Sequence, residues 1–411
     1  MIHYEKFSLE NGMRVLVHRD TSTHLAAFNL LYNVGARDET EDKTGFAHLF
    51  EHLMFGGSKN IPSFDEPLQR AGGENNAFTS NDITNYYETL PAHNLETAFW
   101  LESDRMLELD FEGRALEVQR KVVCEEFKEH YINQPYGDVW HKLRALAYTT
   151  HPYKWPTIGK ELSQIENATK EDVINFFYKN YRPNNAILVV AGNVELIEVK
   201  RLAEKYFGNI SAGENLKKDI PAEPKQTAER KSEVHADVPL DAIFKVYHMP
   251  GRLDKKYYAT DLLSDVLSAG KSSRLYQSLV KEKKLFSEVS AYITGSIDPG
   301  LFVFEGKLVK GVKMEDAERA LLDEIELIKS KGIDEKELEK VKNRVESQTE
   351  FAEMELLHKA MGLAYAELLG DANLVNEEKK FYAAVSAQDI LNGANEFLVK
   401  ENCSTLYYYA N

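Results

Sequence analysis

Apolar and polar positions along this chain recur with periods that change several times, and each change predicts an element. Tyr4 to Leu9 and Met13 to Val17 flank Asn11-Gly12, the pattern of a β-hairpin. Ala26 to Val34 is a strand-like run that Gly35 stops. From Gly45 to Gly57 the chain runs GFAHLFEHLMFGG, and here Phe46, Leu49, Phe50, Leu53 and Met54 interleave with polar residues at helical spacing. They leave His48, Glu51 and His52 on one polar stripe. A helix is predicted at Phe64 to Ala71 with Ser63 as its N-cap, and another at Leu95 to Leu109. Between them ENNAFTSNDITNYYETLP alternates as strand and breaks at Ser80-Asn81-Asp82.

Leu116 to Glu129 has neither Pro nor Gly and predicts a helix dense in carboxylates, followed by a helix at Asp138 to Tyr148. The Pro- and aromatic-rich stretch His151 to Gly159 is expected to be a loop that covers a core. Thr169 with Asp172 three residues on forms a variant capping box, Ala186 to Ala191 is a central strand, and Val194 to Phe207 a helix. Ser211 to Arg230 has the polarity, Pro and Gly of a linker. Beyond it the pattern returns, with strand at 242–248, helices at 259–267 and 272–283, sheet at 291–294 and 301–308, and a long charged helix at 315–331. Ser386, Asp389, Ile390, Asn392 and the run Ser404 to Tyr409 answer Thr169, Asp172, Val173, Asn175 and the strand Ile187 to Val190. A weak internal duplication accounts for this. It divides the chain into a first half over residues 1–211, a linker over 212–230 and a second half over 231–411.

Composition narrows the functional classes. A chain of 411 residues is long for a single core. Charged residues make up 28% and hydrophobic ones 43%, and no run approaches the roughly 18 apolar residues that a membrane span needs. The opening MIHYEKFSLENGM lacks the marks of a signal or transit peptide. Two cysteines, Cys124 and Cys403, give no disulfide framework, are expected to be small buried hydrophobes, and fit a reducing, cytoplasmic setting. A net charge of −16 argues against nucleic-acid binding and favours basic peptides if the acidic surface extends into a cavity.

The polar stripe carries the chemistry. On a helix, positions 48 and 52 stack one turn apart, so two imidazoles can reach one metal ion with Glu51 beside them. The order is H-x-x-E-H, the inverted zincin signature, in which two His bind Zn²⁺ and the Glu takes a proton from water. A third ligand should be a carboxylate on another rigid element, for which Leu116 to Glu129 is the best source. The second half has no such motif and too few His for another site, and His358 is expected to be a packed or surface helix residue.

With GFA before the motif and VVCEE at the right distance, the chain resembles the pitrilysin/insulinase family of zinc peptidases, on its bacterial branch similar to mitochondrial processing peptidase. The resemblance implies an α+β fold of two similar α/β halves, each a mostly antiparallel sheet packed with helices. It implies one zinc per chain on His48, His52 and Glu126, with Glu125 the alternative, and Glu51 as general base. Gln119 stands where many relatives have a second Glu, leaving a group that can hydrogen-bond but not titrate. Asn76, Ala77, Phe78 and Thr79 match a strand whose open edge accepts the substrate peptide. The second half would then help close the substrate chamber. Relatives carry an Arg and Tyr in the second half, and the matching positions here are Lys281 and Ser287. This gap favours a heterodimer with a homologous subunit over a homodimer, unless Arg274 or Tyr292 substitutes. The competing reading is a non-catalytic peptide-binding or assembly subunit; a purely structural zinc is weaker, since such sites usually close with four ligands.

Overall fold

The computed structural model describes residues 1–111, 115–214 and 218–411, so 215–217 of the expected linker lie outside the described residues. The first strands are β1 (Glu5–Ser8), β2 (Arg14–Arg19) and β3 (Leu25–Tyr32), followed by helices α1 (Phe46–Leu53) and α2 (Asp65–Arg70). Then come β4 (Glu74–Thr79), β5 (Thr84–Pro91), α3 (Leu95–Leu107), α4 (Ala115–Phe127), α5 (Val139–Ala147), α6 (Leu162–Glu166), α7 (Lys170–Asn180), β6 (Ala186–Gly192) and α8 (Leu196–Phe207). The second half begins with β7 (Arg230–Ala236), β8 (Ala242–His248), α9 (Lys256–Ser268), β9 (Phe286–Ile293) and β10 (Leu301–Leu308). It ends with α10 (Met314–Lys331), α11 (Glu335–Ala352), α12 (Leu356–Leu368), α13 (Leu374–Ala384), α14 (Ala387–Phe397) and β11 (Cys403–Ala410).

Two expected local features differ. Phe64, not Ser63, flanks α2, and no side chain caps that helix. The helix expected over 272–283 is wound with the wider π-type spacing at Tyr276–Glu282.

Two compact units form, and each draws on both halves of the chain. The first comprises Met1–Glu129, Trp155–Pro221 and Glu350–Glu377; the second His130–Lys154, Ala222–Thr349 and Glu378–Asn411. In the first unit six strands run in the order β1-β2-β6-β3-β5-β4. Only β2 and β6 pair in parallel; the remaining pairs are antiparallel. The second sheet runs β7-β11-β8-β10-β9, again with one parallel pair, β11 with β7. Each half is thus a mixed, mostly antiparallel sheet packed with helices.

The cores explain the exchange of segments. In the first unit Ala360, Leu363 and Ala364 of α12 bury against Leu16, Leu31, Ile187 and Val189. A fully buried Leu is worth about 1.5–3 kcal/mol. Glu367, only 3% exposed, fixes the same helix through Lys6 at 2.7 Å and Arg14 at 3.3 Å. In the second unit Val139, Leu143 and Ala147 of α5 play the corresponding part against Ala242, Phe244 and Leu406. Arg230 there donates to the Ala147 carbonyl at 2.6 Å. The apolar stripe of a helix specifies that it must be buried, not which sheet will bury it.

The duplication extends to hydrogen bonds. Thr169 and Ser386 each close a capping box with an aspartate three residues on. Asn185 donates to the carbonyls of Asn180 and Asn33, and Asn402 to those of Phe397 and His248. Trp155 and Ile158 are buried, so that stretch covers a core as expected, and Trp155 donates to the Ala36 carbonyl at 2.9 Å. Among the described residues no helix is long and apolar enough to cross a membrane. Cys124 and Cys403 are both buried and unbridged.

Candidate metal centre

Helix α1 carries the H-x-x-E-H motif and is short because both ends meet special backbone. Gly45 before it has φ 85°, and a Cβ there would lie 2.6 Å from the Ile158 carbonyl oxygen. Gly57 beyond it has φ 104°. Phe46, Ala47, Leu49, Phe50 and Leu53 are buried, with the Phe50 ring 5.3 Å from that of Phe176 and 5.0 Å from that of Tyr181. This fixes the rotation of the helix. His48, Glu51 and His52 are left on the half-buried stripe.

Glu126 reaches the same place from α4, whose buried side is Val123, Cys124 and Phe127. Its carboxylate lies 3.8 Å from His48 Nε2 and 3.4 Å from His52 Nε2. The two imidazole centroids are 4.9 Å apart with their planes at 85°. One ligand atom from each of the three residues lies within 4.8 Å of the others. Two donors about 2.0–2.1 Å from one tetrahedral zinc stand roughly 3.3–3.4 Å apart, so the His52–Glu126 spacing already fits and His48 needs only a small adjustment. The donor set, two imidazoles and a carboxylate, also fits a zinc site that keeps a position for water. Burial lowers the pKa of His48, against the pull of Glu126, and so favours the neutral ring a metal requires. His52 at 25% and Glu126 at 33% side-chain exposure leave the site reachable from solvent.

The alternative carboxylate points elsewhere. Glu125 is 73% exposed and pairs with Lys128 at 2.8 Å. Gln119 is half buried on α4, and its Cγ lies 3.8 Å from where a Gly56 Cβ would be, next to the exit of α1. Strand β4, with Asn76, Ala77, Phe78 and Thr79, is the outermost strand of its sheet and packs beside α1. Asn76 and Phe78 are exposed, whereas Ala77 and Thr79 are half buried.

In the second unit Lys281 is exposed, and Ser287 donates to the Lys307 carbonyl. Arg274 is held by both oxygens of Glu337, at 2.7 and 2.6 Å, and by the Gly332 carbonyl. Tyr292 donates to Glu305. His358 is a surface residue paired with Glu355.

Several residues around α1 carry no motif and were missed by sequence reasoning. Glu39 is buried and accepts the Gly45 and Ala47 amides. Burial pushes its pKa up to about 8 against the pull of those amides. Arg105, 1% exposed, pairs with Glu102 and lies 4.2 Å from the Phe64 ring centre and 4.4 Å from that of Tyr86. It also donates to the Met54 carbonyl at 3.5 Å, at the end of α1, where Tyr86 donates to the Phe50 carbonyl. Their sequence neighbours, residues 36–43 and 101–108, are themselves rich in charge, so nothing local marks either residue.

Two imidazoles and a carboxylate thus gather beside the edge strand of a duplicated α/β chain, and comparison with known proteins fixes the family. Residues 14–161 match the insulinase family (peptidase family M16), and residues 167–345 match the peptidase M16 inactive domain. The chain belongs to the M16 peptidase family, on its bacterial branch. It is 32% identical to the zinc protease PqqE of Helicobacter pylori, over 98% of this chain and 92% of the relative. The crystal structure of a protease from Helicobacter pylori superposes with a TM-score of 0.93 at 30% identity, covering 100% of each chain. A probable mitochondrial-processing peptidase subunit beta of Schizosaccharomyces pombe is 30% identical over 50% of this chain and 45% of its own length.

Proposed function

We propose that this chain is a zinc metalloendopeptidase, with His48, His52 and Glu126 as the metal ligands and Glu51 as the general base. The observation that carries this reading is the convergence of those three donor groups from α1 and α4, with the Glu51 carboxylate on the same helix face. Bound there, zinc supplies Lewis acidity that brings the pKa of a water towards about 7 and polarises a peptide carbonyl. Glu51 would accept a proton from the attacking water as its oxygen bonds to the scissile carbonyl carbon, and would pass that proton to the amine released when the C–N bond breaks. Strand β4 holds the peptide as an added strand through main-chain hydrogen bonds, with Asn76 to Thr79 lining the contact. The net charge of −16 favours basic peptides if the acidic surface extends to β4 and the metal site. Gln119 beside α1 can hydrogen-bond but cannot relay a proton.

The experiment is cleavage of a mixed pool of peptides by the purified chain and by Glu51→Gln, with zinc measured in both. The expected result is one zinc in each and turnover only in the unaltered chain. Equal turnover in both forms removes Glu51 as the base.

Pairing with a homologous chain is a second part of the proposal. It is supported by the likeness to a processing-peptidase beta subunit and by the engagement of Arg274 and Tyr292 in contacts of their own. Lys281 remains exposed as the candidate substrate contact of the second half. Turnover that rises on co-expression with a homologous subunit supports a heterodimer; full turnover of the chain alone, as a homodimer, contradicts it.

A further inference from the structure

Helix α1 has eight residues, so the amides of its first turn, which have no partner within the helix, make up half of it. The residue before a helix ordinarily supplies a side-chain acceptor, and here it cannot. A Cβ at Gly45 would meet the Ile158 carbonyl oxygen at 2.6 Å and Ile165 Cδ1 at 2.7 Å, and its φ of 85° disfavours other residues. The acceptor comes instead from Glu39. Gly45 N–H donates to one of its carboxylate oxygens at 2.9 Å and Ala47 N–H to the other at 2.8 Å. Ala47 is the residue immediately before His48.

Glu39 is itself on a fixed shelf. Arg37 beside it pairs with Asp82 at 3.0 Å, Asp38 pairs with Lys218 at 2.8 Å, and Trp155 holds the Ala36 carbonyl. The second unit supplies an internal comparison. There Asp254, on the loop after β8, accepts the Lys256 amide at 2.9 Å, two residues on, where α9 begins. In the first unit the corresponding grip spans six and eight residues, is buried, and takes two amides.

We propose that Glu39 is a positioning residue for the metal ligands: by gripping the amides on either side of the first helical residue, it sets the first turn of α1 and so the place of His48. This rests on the reading of His48, His52 and Glu126 as ligands.

The test is cobalt(II) titration of the full-length protein, read by its visible absorption, with thermal melting of each metal-free form. Glu39→Ala is expected to weaken cobalt binding by about tenfold or more and to change the absorption band at saturation. Glu39→Gln, which keeps one acceptor, should fall between it and the unaltered chain, and carries the test if Glu39→Ala does not fold. Asp254→Ala should lower the melting temperature but leave cobalt affinity and band unchanged. If the Glu39 variants melt earlier yet bind cobalt with unaltered affinity and spectrum, Glu39 is a helix cap and nothing more. If His52→Ala binds cobalt as tightly as the unaltered chain, the ligand assignment fails and the positioning role with it.

Discussion

In the first unit the helix after β3 turns His48, Glu51 and His52 to its half-buried side, and Glu126 meets them from the second helix after β5. In the second unit α9 takes the same place after β8, and its partly exposed stripe carries Tyr258, Asp261 and Asp265. Tyr382 donates to Asp261 at 2.5 Å, and Arg344, on the second helix after β10, pairs with Asp265 at 2.9 Å. The two units share a strand plan, a parallel pair, a capping box and an asparagine bridge, yet their corresponding helix faces collect opposite chemistry. One gathers lone-pair donors around a point where a cation fits. The other meets its carboxylates with an arginine and a phenol of its own chain, and among the described residues no group of three metal-capable donors gathers there. The scaffold therefore does not dictate the site; a few side chains on two helices do.

The strongest way to break this comparison is to give the first unit the charge arrangement of the second. Glu126→Arg is expected to abolish zinc binding and lower kcat by at least about 10³-fold, the worth of several kcal/mol of Lewis-acid stabilisation. Metal analysis and peptide cleavage check both, and Asp261→Asn in the second unit should leave kcat unchanged.

Next in size are the buried cations, Arg105 and Lys245, each 1% exposed. Arg105→Met strands Glu102 in the core and should cost about 3–5 kcal/mol of stability. Lys245→Met should cost less, because Glu318 keeps 17% exposure and the Tyr407 O–H shared between its two oxygens. Zinc affinity should fall only for Arg105→Met, since only Arg105 reaches the end of α1. Denaturation midpoints and zinc titration separate the two effects.

The asparagine bridges sharpen the likeness instead. Asn185→Ala and Asn402→Ala each free two backbone carbonyls, and each should loosen its own unit by about 1–3 kcal/mol. Hydrogen exchange resolved by peptide should show equal losses in the two sheets.

The smallest effect is one of pH. Burial raises the pKa of Asp265 to about 6, above its ordinary 3.8. The folded state thus favours the protonated acid, and this contribution is present below about pH 4 and lost as the pH rises through about 6. Asp265→Asn should therefore melt higher relative to the unaltered chain at pH 7 than at pH 4, by about 2–4 °C for a difference near 1 kcal/mol. Melting curves at the two pH values decide it.

Much of this was legible in the chain, because period and punctuation are local. The hairpin at Asn11-Gly12, the strand before Gly35, both capping boxes and the α1 stripe follow from neighbouring residues. The choice between Glu125 and Glu126 could not be made from helix periodicity, because adjacent positions point only about 100° apart and the neighbouring helix decides which side is inward. Residues 130–154 and 350–377 pack with the sheet encoded by the opposite half, a long-range preference that an amphipathic pattern does not carry. Glu39 grips α1 from six and eight residues upstream and Arg105 reaches it from far along the sequence, and neither contact has a local signature.

The central claim is that one zinc sits on His48, His52 and Glu126 and that Glu51 is not a ligand. X-ray absorption at the zinc edge of the purified chain, compared with Glu51→Gln and Glu126→Gln, tests it most directly. The account predicts one zinc with two imidazole nitrogens and a carboxylate oxygen, unchanged in Glu51→Gln and disrupted in Glu126→Gln. A first shell that changes in Glu51→Gln but survives in Glu126→Gln would contradict it.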